Sequence, residues 1–529
     1  MEQAAAGSPE PPSRRGWVPL ALEAAVAFFT AAAFVASCVF IHVNPLYRLG
    51  QVAGLAGLAF RFALVAILLV VALVVAARRR GGARFDLTAR LVCASIAGLA
   101  TGMIGGGILV ALRGTPWGIN GQGGDVGYIA GWATALHRGQ PDLLPAVYPP
   151  LPIHVLHLYS DLVGLAPGMA LKHLEIAGVA ASGPIVYLAW RLLLRPAWAL
   201  GIGVVASLPL VEPYKPYPTL VLAVFVPIAI VFLQALRDSA AWPVQRIARA
   251  SVVYGLGFGL LCLTYSGWFQ WSVPGLAVAA LVVFPWRSRR NGVYLLAFTA
   301  AVFVLVTRQY ALGVLADPVG IQDAYVYFDV KTEPMYIAMW RNDTPGTVGV
   351  WPPIGELGGV GLFTLTLAVG FGAAIAIGRR ETVVIALISV MAGAWLLRFQ
   401  YARKLWETKL VQLYPRTTPL ILYSLLILTG YTVYWLVDRR RPSAATDRPP
   451  GSAGLIGAVC GLLLFLGSAG SAITDRYMPD RRDPPSAGWL TLVAHETKRG
   501  FEPKKYRARP LRWSRRSDPA ESADPGPHP

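Results

Sequence analysis

The feature that most limits what this chain can fold into is the recurrence of apolar runs long enough to cross a bilayer, starting near residue 17 and ending near 475. A hydrocarbon core takes about 20 apolar residues as helix, and inside it every backbone group has to be satisfied by the protein itself. The runs lie near 17–41, 52–77, 88–112, 172–194, 197–211, 218–236, 250–266, 272–286, 292–315, 357–378, 382–398, 418–437 and 454–474. The fold class expected is therefore all-α, a polytopic membrane protein with about 13 transmembrane helices. Only 14% of the 529 residues are charged, roughly half the share found in soluble domains. The stretch 150–168, with His154, His157 and Asp161, is too polar for a plain span and is expected as a re-entrant or interfacial helix.

The formal net charge of +19 does not point to nucleic acid, because the basic residues sit in short clusters between apolar runs, the pattern of cytoplasmic loops. Starting inside with Arg14 and Arg15, alternate loops carry Arg78, Arg79, Arg80 and Arg84, then Arg191 and Arg195, then Arg237, Arg246 and Arg249. The alternation continues through Arg287, Arg289 and Arg290, Arg379 and Arg380, and Arg439, Arg440 and Arg441. This parity assigns 1–16 to a cytoplasmic tail, 17–475 to the transmembrane domain and 476–529 to a polar, partly disordered extracytoplasmic tail. Three long polar loops then face outward: 113–150, 316–356 and 399–417. The first run is too long for a cleavable signal core and is expected as a retained anchor. Cys38, Cys93, Cys262 and Cys460 fall inside apolar runs with no disulfide or zinc spacing.

Within the first outward loop, "NGQGGDVGYIAGWATALHRG" (120–139) sets one carboxylate, Asp125, behind two glycines. Alone, a Gly-Gly-Asp triplet fits a solvated turn as well as a site. The segment "RFQYARKLWETKLVQLYPRT" (398–417) places Arg398, Arg403, Lys404, Lys409 and Arg416 on the outer side, against the bias seen elsewhere. An anionic lipid-linked phosphate would compensate for them, and so would lipid headgroups in general. The loop 316–356 interleaves acids, Asp329 among them, with aromatics such as Trp340, a composition suited to sugar hydroxyls and ring faces and also to an interfacial aromatic belt. "EPYKPYP" and "TYSGWFQW", at two other outer turns, add Glu212, Lys215, Tyr265 and Trp268. His137, His154, His157 and His173 surround the Asp125 island, but no carboxylate or thiol spacing completes a metal site, so no metal ligand is assigned.

Taken together, "GGDVGYIAGWATALHRGQPDLLPAVYPPLP", "EPYKPYP" and "KLWETKLVQLYPRTTP" resemble the GT-C class of integral-membrane glycosyltransferases. Within that class they look like the actinobacterial arabinofuranosyltransferases that prime galactan, over residues of about 90 to 440. The resemblance implies arabinofuranose transfer, with inversion, from decaprenyl-phosphate-arabinose to a cell-wall galactan hydroxyl on the outer face of the plasma membrane. It implies Asp125 as the base, Arg403 and Lys404 on the donor phosphate with Arg416 near the mouth, and Glu212, Lys215, Trp268, Asp329 and Trp340 on the acceptor. Many GT-C enzymes use a divalent cation held by acids; whether this one does is left open. The family also implies a folded domain after the last span, where this sequence continues for only about 55 polar residues, so a shorter or different acceptor is expected. Two alternatives remain: a GT-C transferase using another polyprenyl-phosphate sugar such as mannose, or a lipid or sugar transporter or flippase. Long polar loops on one face and few charges within spans, Arg61 being the clearest, favour surface chemistry over transport.

Overall fold

The computed structural model describes residues 17–79, 82–316, 362–410, 416–439, 452–482 and 486–497. Their regular elements are all helices. The first three, α1 (Trp17–Cys38), α2 (Arg48–Arg78) and α3 (Gly82–Ala111), lead into α4 (Gly124–His137), α5 (Leu151–Val163) and α6 (Pro167–Trp190). A broken apolar segment follows, with α7 (Pro196–Trp198), a π-helical stretch over Ala199–Val204, α8 (Val205–Ser207) and a 3-10 turn over Leu208–Leu210. Next come α9 (Pro216–Asp238), α10 (Val244–Thr264), α11 (Gly267–Val283) and α12 (Arg289–Ala316). The rest are α13 (Leu362–Gly378), α14 (Thr382–Thr408), α15 (Thr417–Arg439), α16 (Ser452–Arg476) and α17 (Ala487–Glu496).

Among the described residues, nine helices are long and apolar enough to cross a membrane: α1, α2, α3, α9, α10, α12, α14, α15 and α16. The chain is thus a multi-pass, membrane-integral helical protein. Three further apolar helices are shorter, over Pro196–Leu210, Gly267–Val283 and Leu365–Gly378. The stretch expected as re-entrant or interfacial forms α5, bent by 106° against α6. The bend has a local cause: Gly164 closes α5 in the left-handed region at φ 66°, and Pro167 opens α6, where its missing N–H costs nothing. Leu158 and Leu162 on α5 stay 66% and 83% exposed, the surface of a helix lying against an apolar phase.

Helix α3 is the axis of the first half, packed by α1, α2, α6 and α16. Its small-residue face allows close approach: a Cβ on Gly102 would stand 3.2 Å from the Ala31 carbonyl of α1, and one on Gly105 the same distance from the Ile176 carbonyl of α6. In the second half α9 joins α6 to α10, α11 and α14, while α10 packs on α12, α11 on α14 and α13 on α15. The outermost helices leave large apolar side chains uncovered, Leu68 at 67%, Leu305 at 69% and Leu464 at 77%, a perimeter suited to lipid tails.

Contacts near helix termini, such as Gly378 of α13 against Trp435 of α15 and Tyr477 Oη donating to the Val211 carbonyl, give the bundle two distinct ends. One holds the 112–150 segment and Asp125. The other gathers Arg78, Arg79, Arg84, Arg191, Arg195, Arg237, Arg287 and Arg379 at helix termini or the turns between them. There Asn291 at the start of α12 donates to the Ser239 and Trp242 carbonyls after α9, and Trp198 meets Tyr434 of α15 edge-on at 5.2 Å.

Candidate active site

The segment leading to Asp125 is gripped from two sides. From α6, Lys172 Nζ donates to the Leu112 and Thr115 carbonyls at 3.0 and 2.6 Å, and buried Glu175 accepts from Ile119 N at 2.8 Å. From α17 and Thr497, which caps its end, the Ala494 and Thr497 carbonyls accept from Thr115 Oγ1 and Trp117 Nε1 at 2.7 and 2.9 Å, and the Leu490 carbonyl from Asn120 N at 2.8 Å. Just beyond these anchors the chain turns sharply through left-handed backbone at Gly121 and Gly124, φ 60° and 55°, which a Cβ would strain. The two glycines thus aim the start of α4. Asp125 falls in its first turn, where the helix dipole favours the carboxylate.

Asp125 meets a lysine 90 positions further along the chain. Lys215 sits in "EPYKPYP", the short link into α9, and its Nζ donates to Asp125 Oδ2. The pair is lopsided: the Asp125 side chain is 52% exposed, that of Lys215 only 5%. Burial pushes the Lys215 ammonium below the ordinary lysine range; the Asp125 carboxylate opposes this, and nearby Arg416 adds to it. In the same link, Glu212 Oε1 lies 3.8 Å from Arg416 Nη1, at the entry to α15. Glu212 Oε2 is buried and accepts no hydrogen bond from the described residues. Two acids and two bases therefore adjoin, drawn from α4, the α8–α9 link and the α14–α15 link.

Tyrosines wall this group. Tyr148 and Tyr217 share a hydroxyl–hydroxyl bond of 2.8 Å, and burial, then the nearby Asp125 charge, pushes the Tyr148 hydroxyl well up. Tyr265 stands 6.3 Å from Tyr217 and 5.5 Å from Trp268, ring centre to ring centre, and Arg416 lies 5.9 Å over its face. Trp132 continues the wall, 4.9 Å from Tyr148 and 5.7 Å from Tyr128. The arrangement offers a half-exposed carboxylate for a proton, two cations for an anionic group and ring faces for an apolar or sugar surface.

The sequence-predicted site residues divide. Asp125, Glu212, Lys215, Arg416 and Trp268 come together, although the Trp268 ring is enclosed, 2% exposed, with Nε1 donating to the Pro218 carbonyl at 2.6 Å. Among the described residues, Arg403 and Lys404 make no side-chain hydrogen bond or ion pair with this group. Helix α14 runs on to Thr408 through the expected loop 399–417, because "QYARKLWET" is made of good helix formers without glycine or proline. Both side chains are exposed there, and among the described residues no hydrogen bond or ion pair links either to Asp125. Arg398, one of the outward cations, is buried and donates to Thr417 Oγ1 at 2.7 Å. Asp329 and Trp340 lie outside the described residues, as does nearly all of loop 316–356. Sequence reasoning missed the α17 brace, whose signal was the capping pattern "SAGWLTLVAHE", and it missed the wall of Tyr148 and Tyr217. It also found no carboxylate to complete the histidine group, whereas Asp161 stands between His137 and His157.

A scan against models of known protein families finds no match to this chain, and a search of curated proteins finds no relative for it.

Proposed function

We propose that the protein is a membrane glycosyltransferase of GT-C type, transferring arabinofuranose from decaprenyl-phosphate-arabinose to a cell-wall galactan hydroxyl at the outer face of the plasma membrane. On this reading the chain crosses thirteen times, through the nine long spans, the α5–α6 pair and the three shorter apolar helices. The Asp125 end faces outward, an orientation supported by the arginines gathered at the other end.

The observation that carries the reading is the half-exposed Asp125 set against two cations, Lys215 and Arg416, inside a tyrosine wall. Transfer from a lipid phosphate needs those parts. The acceptor hydroxyl oxygen attacks the anomeric carbon from the face opposite the phosphate, and Asp125 takes its proton. The bond from that carbon to the phosphate oxygen breaks with its electron pair staying on the decaprenyl phosphate, and the configuration inverts. Lys215 and Arg416 offset the charge gathering on the leaving oxygen. We assign the phosphate to these two in place of Arg403 and Lys404, which stand exposed along α14. Glu212, with an oxygen free of donors among the described residues, is suited to an acceptor hydroxyl, with Asp329 and Trp340 contributing from their loop.

The test is transfer by the purified protein in lipid nanodiscs, supplied with decaprenyl-phosphate-arabinose and a galactofuranose oligosaccharide, with products read by mass spectrometry. An arabinosylated product that Asp125→Asn abolishes supports the proposal. Transfer only from a different polyprenyl-phosphate sugar would keep the enzyme class and replace the donor. Failure with every lipid-phosphate sugar, by a protein that is folded and monodisperse, would overturn it.

A further inference from the structure

Helices α4 and α5 form a hairpin whose start presents Asp125 and whose far end carries an unrelated cluster. His137 is the last residue of α4, while His157 and Asp161 lie one turn apart on α5 and share a face. Their ligand atoms all fall within 4.8 Å of one another. His137 Nδ1 is 2.7 Å from Asp161 Oδ1, and His157 Nδ1 is 3.5 Å from Asp161 Oδ2. The imidazoles stand nearly perpendicular, 81° between planes with centres 6.4 Å apart, so their nitrogens converge while the rings do not stack. The single carboxylate thus faces two imidazoles and satisfies only one fully: His157 Nδ1 is buried and makes no hydrogen bond with the described residues.

Two imidazole nitrogens and one carboxylate oxygen form a donor set typical of zinc, which binds each at about 2.0–2.2 Å. Tetrahedral ligands at that radius stand about 3.3 Å apart, close to the His157–Asp161 separation of 3.5 Å. The His137–Asp161 contact has to open, and the spread of the three ligand atoms, up to 4.8 Å, has to close toward that spacing; the two side chains that move, His137 and Asp161, are on the surface, 58% and 43% exposed. The same exposure leaves a fourth position to water. The C-terminus of α4, directly at His137, favours positive charge there. Imidazole-rich sites select zinc and its transition-metal neighbours over magnesium or calcium, which take oxygen.

We propose that His137, His157 and Asp161 bind a zinc-class divalent ion that clips α4 to α5. The site is separate from the acid at the other end of α4, which lies 12 residues or about 18 Å away along the helix. Its role is to hold the hairpin that presents Asp125 and, through the following link, Tyr148. The inference does not depend on which reaction the protein catalyses.

The experiment uses the full chain in detergent, with any purification tag removed, stripped with EDTA and then given Zn²⁺ or Co²⁺ alone. About one equivalent of zinc is expected to survive desalting, measured by elemental mass spectrometry. Cobalt is expected to give the visible absorption of a low-coordinate nitrogen–oxygen site, and zinc to abolish it. Zinc is also expected to raise the unfolding midpoint. His137→Ala, His157→Ala and Asp161→Asn should each weaken zinc binding by at least about tenfold, while His154→Ala on the same helix leaves it unchanged. Three separate variants guard against one failing to fold. No stoichiometric uptake, or uptake undiminished in all three, would overturn the site and leave His137–Asp161 as a surface hydrogen bond only.

Discussion

Glu23 and Asp125 are carboxylates at opposite ends of the bundle, each paired with a cation from a distant part of the chain. Glu23 of α1 is wholly buried and accepts from Tyr187 Oη at 2.9 Å and Arg191 Nε at 2.8 Å, with Arg191 Nη2 at 3.4 Å and Arg90 Nη1 at 4.0 Å. Both its oxygens are engaged, and the cluster ties α1 to α3 and α6. Asp125 is half-exposed beside a buried lysine, and its neighbour Glu212 keeps one oxygen without a donor among the described residues. A buried charge persists when its hydrogen bonds are complete, and an incomplete set is costly to maintain. The closed cluster is a clasp; the open one has capacity left for something that arrives.

The two clusters should differ most at Asp125. On the proposed function, Asp125→Asn should lower the transfer rate by about 10²–10⁴-fold, the usual contribution of a positioned general base, while the unfolding midpoint moves less than at Glu23, because the Asn amide oxygen still accepts from buried Lys215 and that ammonium already titrates low enough to shed its proton. The opposite profile is expected at the other end. Glu23→Ala leaves Arg191 and Tyr187 buried without their acceptor and should cost about 3–5 kcal/mol of stability, read by thermal or denaturant unfolding. The folded fraction of that variant should retain normal turnover. If Glu23→Ala stopped turnover without destabilising, or Asp125→Asn unfolded the protein, the two clusters would have exchanged roles.

A subtler effect concerns Lys215. Its ammonium titrates below the ordinary lysine range because it is buried, despite the opposing Asp125 charge. Catalysis that needs the protonated form should therefore decline on the alkaline side earlier than a surface lysine would allow, and Lys215→Arg should move that decline upward. Stability runs the other way. Between the lowered folded value and the ordinary unfolded one, the unfolded chain binds more protons, so stability rises with pH through that window. Activity falling while stability climbs over the same interval would mark Lys215. A rate–pH profile left in place by Lys215→Arg would remove it.

How much of this was legible in the sequence follows from the range of each interaction. Helix positions were readable because length and apolarity act locally: each of the thirteen expected runs overlaps helix among the described residues, nine of those helices being long and apolar enough to cross a membrane, and the α5–α6 bend follows from Gly164 and Pro167. Glu212, Lys215, Tyr265 and Trp268 could be placed on one face with Asp125 because alternation of helices fixes the end of the bundle. Which cation meets which acid could not be read, since Lys215 and Asp125 are 90 positions apart and helix rotation decides the pairing. Arg403 and Lys404 stood out as charges against the topological bias, yet continuation of α14 carries them along a helix. Asp161 was visible beside His157; only the hairpin reveals that His137 returns to the same carboxylate.

The smallest effect tests whether the wall around Asp125 is scaffold or binding surface. Trp268 donates its indole N–H to the Pro218 carbonyl at 2.6 Å, in the first turn of α9 after Lys215, and packs on Tyr265, which faces Arg416. Trp268→Phe keeps most of the ring volume and deletes that one donor, so about 1 kcal/mol of stability is expected to go. Because the ring is only 2% exposed, the acceptor KM should stay within about twofold, any change coming through the position of Lys215 and therefore in kcat. If the acceptor KM instead rose by about tenfold with stability untouched, the ring would have to uncover and touch the sugar during turnover, and the tyrosine wall would be a surface that opens.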